Sequence, residues 1–124
     1  MKKDAYYFSH DSNARHDPKI LKLRTLMGWE GYALYFSFLE ICREQQNYML
    51  EIESKNILTL ELHISVETLD LFFKNCLKVN LLKEENGFIF SESFMNRMRQ
   101  MDERRQKYSE AGKKGGKAKA LASL

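Results

Sequence analysis

Four side chains near the N-terminus are of the kind that hold metal ions: His10, Asp11, His16 and Asp17. Imidazole and carboxylate groups ligate divalent ions, and His-Asp pairs occur in phosphohydrolases that activate water on a bound metal. Such a site needs more His and Asp from other helices to close it. The only other histidine is His63, and no downstream His-Asp pair exists. Loop and cap hydrogen bonds from Asp11, Asn13, Arg15 and Asp17 account for the same residue types, so no metal or cofactor is expected and a metal-dependent enzyme is the weaker alternative. The run GKKGGK follows no strand pattern and has no Ser or Thr after its Lys, so it is not a nucleotide-binding loop. A Ser-His-Asp nucleophile has no motif context either, and the chain is not expected to be an enzyme.

Cationic side chains carry a stronger signal. The net charge is only +3, yet Met1 to Asn96 holds 11 Lys/Arg against 14 Asp/Glu, a balance of −3, while Arg97 to Leu124 holds 9 against 3, a balance of +6. Arg97, Arg104, Arg105, Lys107, Lys113, Lys114, Lys117 and Lys119 are therefore the candidate contacts to a DNA phosphate backbone. Such contacts release counterions and give affinity that is independent of sequence and falls steeply with salt. Lys74, Asn75 and Lys78 form a second, smaller set on one helix. Glu67 and Asp70 precede them on the same face, where carboxylates would repel phosphates and weaken base readout. A third set is apolar: Tyr6, Tyr7 and Phe8 in the N-terminal arm, and Leu71, Met95, Met98 and Met101 on later helices. One small core need not consume all of them, and Met suits adaptable contact surfaces, so they are the candidates for self-association.

The elements that must position these groups follow from pattern. At 124 residues and 14.7 kDa the chain has room for one domain. One Pro and 6 Gly are too few for an all-β fold of many tight turns, so a mainly helical domain is favoured. No apolar run is long enough to span a membrane, and the N-terminus leads into no signal region, which points to the cytoplasm. Cys42 and Cys76 read as small core residues of a reducing compartment.

The stretch from Gly28 to Gln46 is apolar over most of its circumference, with Tyr32, Tyr35, Phe36, Leu39 and Cys42 at helical spacing, and reads as the central helix. Before it, an extended aromatic arm leads to Asp17-Pro18, a helix start, and to a short amphipathic helix that Gly28 ends. Gly31 lies oddly early in the central helix, where a close approach by the preceding arm would explain its missing side chain. After it come a short strand at Tyr48 to Ile52 and a helix capped by Ser54 with Ile57, Leu58 and Leu62 inward. A second helix capped by Ser65 carries Val66, Leu69, Phe72, Phe73, Cys76 and Leu77 on one face. A hairpin follows, from Leu81 to Phe90 about Asn86-Gly87. The last helix starts at Ser91 or Ser93 and carries Phe94, Met98 and Met101 inward, and from Gly112 its pattern dissolves. This order predicts a winged helix-turn-helix over residues 1–108, with a small β-hairpin wing and a C-terminal helix, then a basic flexible tail over 109–124.

The run YFSHDSNARHDPKILKLRTLMGWEGYALYFSFLEICRE resembles the opening of DnaD-like phage and prophage replication-initiation proteins, with HD, NAR, D, KI and GWEGY in order. The resemblance extends through the helix-turn-helix to Ser-Glu-Ser-Phe and the tail SEAGKKGGKAKA. Ser9 stands where that family usually has Pro, and its members are often longer. The resemblance implies a winged-helix domain acting in replisome loading, through DNA contacts and self-association, with replisome proteins as further partners. The alternative is an interaction module that oligomerises without touching DNA.

Overall fold

The computed structural model describes the backbone of residues 7–122 and the side chains of residues 7–112. Helix α1 runs from Pro18 to Arg43 and is broken at Gly28, whose φ of 66° and ψ of −156° suit only glycine. Asp17 caps it by accepting from the backbone N–H groups of Lys19 and Ile20, and Pro18 occupies the first turn. The two halves of α1 meet tightly beyond the break. A Cβ on Gly31 would lie 2.8 Å from Met27 Cβ and 3.2 Å from Leu23 Cγ, so the close approach comes from the first half of the helix and not from the N-terminal arm.

The second half of α1 is the centre of the core. Phe38 is fully buried and meets Phe72 and Phe73 edge-on, at centroid separations of 6.4 and 5.7 Å. Those two rings belong to α3 (Val66–Lys78), whose inner face also carries Leu69 and Cys76. Helix α2 (Lys55–Leu62) precedes it across the three-residue turn His63-Ile64-Ser65. His63 stops α2 in the left-handed region, at φ 54°, and the Ser65 hydroxyl accepts from Thr68 N–H to start α3. Ser54 makes no such cap, because a 3-10 turn over Ile52–Ser54 leads into α2. Ile57 is 67% exposed where the pattern put it inward. An eight-residue helix has a narrow buried side, and Leu58 with Leu62 fills it.

Strand β1 (Leu50–Glu51), β2 (Lys83–Glu85) and β3 (Phe88–Phe90) form an antiparallel sheet in the order β1-β3-β2. Glu84 pairs with Ile89 on one side and Leu50 pairs with Ile89 on the other. The β2–β3 turn places Asn86 at φ 53° and Gly87 at φ 81°, the doubly left-handed geometry that tight two-residue hairpins require. Helix α4 (Glu92–Ala122) closes the domain and seats Phe94, Met95 and Met98 in the core. Its backbone stays helical past Gly112, where the sequence pattern loosens. Lys and Ala are good helix formers and offset the roughly 1 kcal/mol that each Gly costs. The domain is thus mainly helical with one small sheet.

Candidate nucleic-acid interface

Both lysines expected on α3 face solvent, and Asn75 does not. Lys74 and Lys78 are exposed, whereas Asn75 is 9% exposed, on the inward side of the helix beside Cys76. The correction follows from helical geometry, since the face holding Phe72 and Cys76 also passes through position 75. Lys74 and Lys78 line a groove of about 480 Å³ between α3 and the β2–β3 hairpin, with Phe73 and Ile89 at its floor. Asp70 and Glu84 lie in the same groove, and Lys55 Nζ donates to the Asp70 carboxylate at 3.1 Å. Lys55 was not singled out by the sequence, because only the fold brings α2 beside α3. Its charge offsets the repulsion that Asp70 would exert on a phosphate. On the hairpin, Lys83 pairs with Glu92 at the start of α4. The hydrogen bond from Lys83 holds the Glu92 carboxyl below its ordinary range, and the same contact pushes the Lys83 ammonium up.

The basic residues of α4 divide into engaged and open ones. Arg97 donates from Nη2 to Asp11 at 2.7 Å and from Nη1 to the Ser9 carbonyl at 3.4 Å, so it clamps the N-terminal arm. Arg105 is partly buried, 4.0 Å from Asp102, which also accepts from the Tyr48 hydroxyl at 2.6 Å. Arg104 and Lys107 are exposed, as is Arg99, and none of the three forms an ion pair among the described residues. Lys113, Lys114, Lys117 and Lys119 lie outside the residues whose side chains are described.

The apolar candidates are mostly spent on the core. Met95 and Met98 are 5% and 1% exposed, which corrects their place among the self-association candidates, while Met101 packs partly buried against the same cluster. The inward side of α4 is wider than the spacing of Phe94 and Met98 alone suggests, so position 95 falls on it too. Phe8 packs edge-on against Phe94 at 5.0 Å. Tyr7 and Leu71 remain exposed, at 67% and 50%, and Tyr6 lies outside the described residues.

The four N-terminal His and Asp residues have separate employment. Asp17 is the cap of α1 and Asp11 is the partner of Arg97. His10 stacks on Phe36 at 4.1 Å, and His16 ends the 3-10 turn Ala14–His16. Among the described residues no group of three His, Cys, Asp or Glu side chains is placed to hold a metal ion. No helix among them is long and apolar enough to cross a membrane.

No curated protein and no solved structure shows significant similarity to the chain. The family described as Lin1244/Lin1753-like, N-terminal, matches residues 7–94, a span that runs from the aromatic arm through the hairpin to Phe94. That match covers well over half of the sequence, and the chain therefore belongs to the Lin1244/Lin1753-like N-terminal family.

Proposed function

We propose that the chain is a DNA-binding accessory of replication initiation at a phage or prophage origin, working in the cytoplasm and self-associating there. The three-residue turn between α2 and α3 and the hairpin that follows α3 support reading the domain as a winged helix-turn-helix. The observation that carries the DNA reading is the set of open cations. Lys74 and Lys78 line the groove beside the hairpin, and Arg99, Arg104 and Lys107 lie exposed along α4. The +6 balance after Asn96 makes α4 the main phosphate contact. The replication role rests on the resemblance of the HD, NAR and GWEGY motifs to DnaD-like proteins.

Duplex affinity measured against salt tests this reading on three proteins: the full chain, a truncation after Ser109, and Lys74→Ala with Lys78→Ala. The truncation should flatten the salt slope by roughly 0.9 per lost contact, and the lysine pair should matter less. Absent or salt-insensitive binding in all three overturns the reading and leaves a protein-interaction module as the account.

A further inference from the structure

The break in α1 carries a surface feature that the phosphate contacts above do not use. Trp29 is the only tryptophan in the chain and is 60% exposed. The Arg24 guanidinium lies over its ring, 3.8 Å from the centroid, and the Tyr32 ring stands at 76° to it with centroids 5.4 Å apart. At 60% exposure much of the indole stays open to solvent beyond the part that the guanidinium covers. Arg24 is itself held, because its Nη1 donates to the Arg15 carbonyl at 3.2 Å, and the rest of its planar N–H fork remains for a further acceptor.

The platform is braced from behind. Tyr32 packs on Phe36 at 4.9 Å, and its hydroxyl lies 3.5 Å from His10 Nε2. His10 in turn stacks nearly parallel on Phe36, at 4.1 Å and 22°. Positions 29, 32 and 36 therefore make one aromatic ladder on one helix face, half-buried at its inner rungs and open at the indole. The segment from Arg15 to Glu30 holds Arg15, Lys19, Lys22 and Arg24 against Asp17 and Glu30, and Asp17 is engaged in capping α1. An exposed indole with a guanidinium on it, in a segment whose cations outnumber its carboxylates along the chain, is complementary to a polyanion that offers π-faces. Bases in a duplex are already stacked on each other, so only an unpaired base can present its face.

We propose that Trp29 and Arg24 form a contact for single-stranded DNA, in which an unpaired base stacks on the open indole face and Arg24 meets the adjoining phosphate. This rests on the DNA-binding reading and adds strandedness to it. The test is titration of the full chain with a thymidine oligonucleotide of roughly 16 nucleotides, about the most that one compact domain covers. Intrinsic fluorescence reports directly from the site, since Trp29 is its only indole. Saturable quenching is expected, and by anisotropy of a labelled oligonucleotide Trp29→Ala should lose roughly 5- to 100-fold in affinity, with Trp29→Phe retaining part of it. Arg24→Ala should weaken binding and lower its salt slope. Unchanged thermal melting of Trp29→Ala shows that the loss is not unfolding.

Wild-type affinity in Trp29→Ala, or no change in fluorescence at saturation, overturns the proposal. The same holds if Trp29→Ala alters the oligomeric mass and leaves oligonucleotide affinity intact, because Trp29 then serves a protein contact. Duplex binding that depends on Lys74, Lys78 and the tail while single strands fail to bind sinks this inference alone. The converse, a Trp29-dependent single-strand complex with duplex binding absent, sinks the duplex interface alone.

Discussion

Two glycines in α1 do opposite jobs, and substitution separates them. Gly28 has open space around it and a left-handed backbone, so Gly28→Ala strains the chain without a clash. Gly31 is in ordinary helix with Met27 Cβ within 2.8 Å of the missing methyl, so Gly31→Ala forces the two halves of α1 apart. Both variants should be destabilised by about 1–3 kcal/mol in urea unfolding. A stable Gly31→Ala would show that Met27 gives way. The cysteines make a second test at this scale. Cys42 and Cys76 have no exposed surface, and burial pushes both thiols up, that of Cys42 to about 12. Neither should react with a thiol reagent at neutral pH until the protein is unfolded, when both should titrate. One fast thiol in the native state would contradict the packing of α1 against α3.

At the level of elements, α4 is joined to the hairpin by Lys83–Glu92 and to the arm by Arg97–Asp11. The Glu92 carboxyl lies below its ordinary 4.5 in the folded state, so its contribution to stability is present above that value and is lost as pH falls through the lowered one. The difference in urea midpoint between the protein and Glu92→Gln should therefore shrink as pH drops below about 4.5. A difference that stays constant down to pH 2 to 3 would mean the pair does not form in solution. The effect is small, because both side chains are exposed. His63 offers a change in the other direction. It ends α2 at φ 54°, where a β-carbon is unfavourable, so His63→Gly should raise stability by up to about 1 kcal/mol. A loss there would give the imidazole a role that its exposed position does not suggest.

For the whole molecule, the arm and α4 bear on assembly. Met95 and Met98 are committed to the core, so a self-association surface has to draw on exposed residues such as Tyr7 and Leu71. Light scattering at high micromolar concentration should give at least a dimer mass, reduced by Tyr7→Ser with Leu71→Ser. A protein that stays at 14.7 kDa would leave DNA contact as the whole of the proposal.

The parts legible in the sequence were those set by neighbours along the chain. Asp17-Pro18, Ser65 and Asn86-Gly87 act through backbone groups two to four residues away, so the start of α1, the start of α3 and the hairpin could be read directly. The apolar stripe of α3 was equally plain, because its period is that of the helix itself. What the sequence could not determine was which residues far apart in the chain meet. Lys55 reaches Asp70, Asp11 reaches Arg97, and Met95 joins the inward Met98 only because sheet, arm and α1 come together around α4. Trp29 fell within the stretch read as the core helix, and the left-handed step at Gly28 leaves it exposed beneath Arg24. A charge or ring declares its type in the sequence, but its partner is chosen by packing between elements, and that is decided in three dimensions.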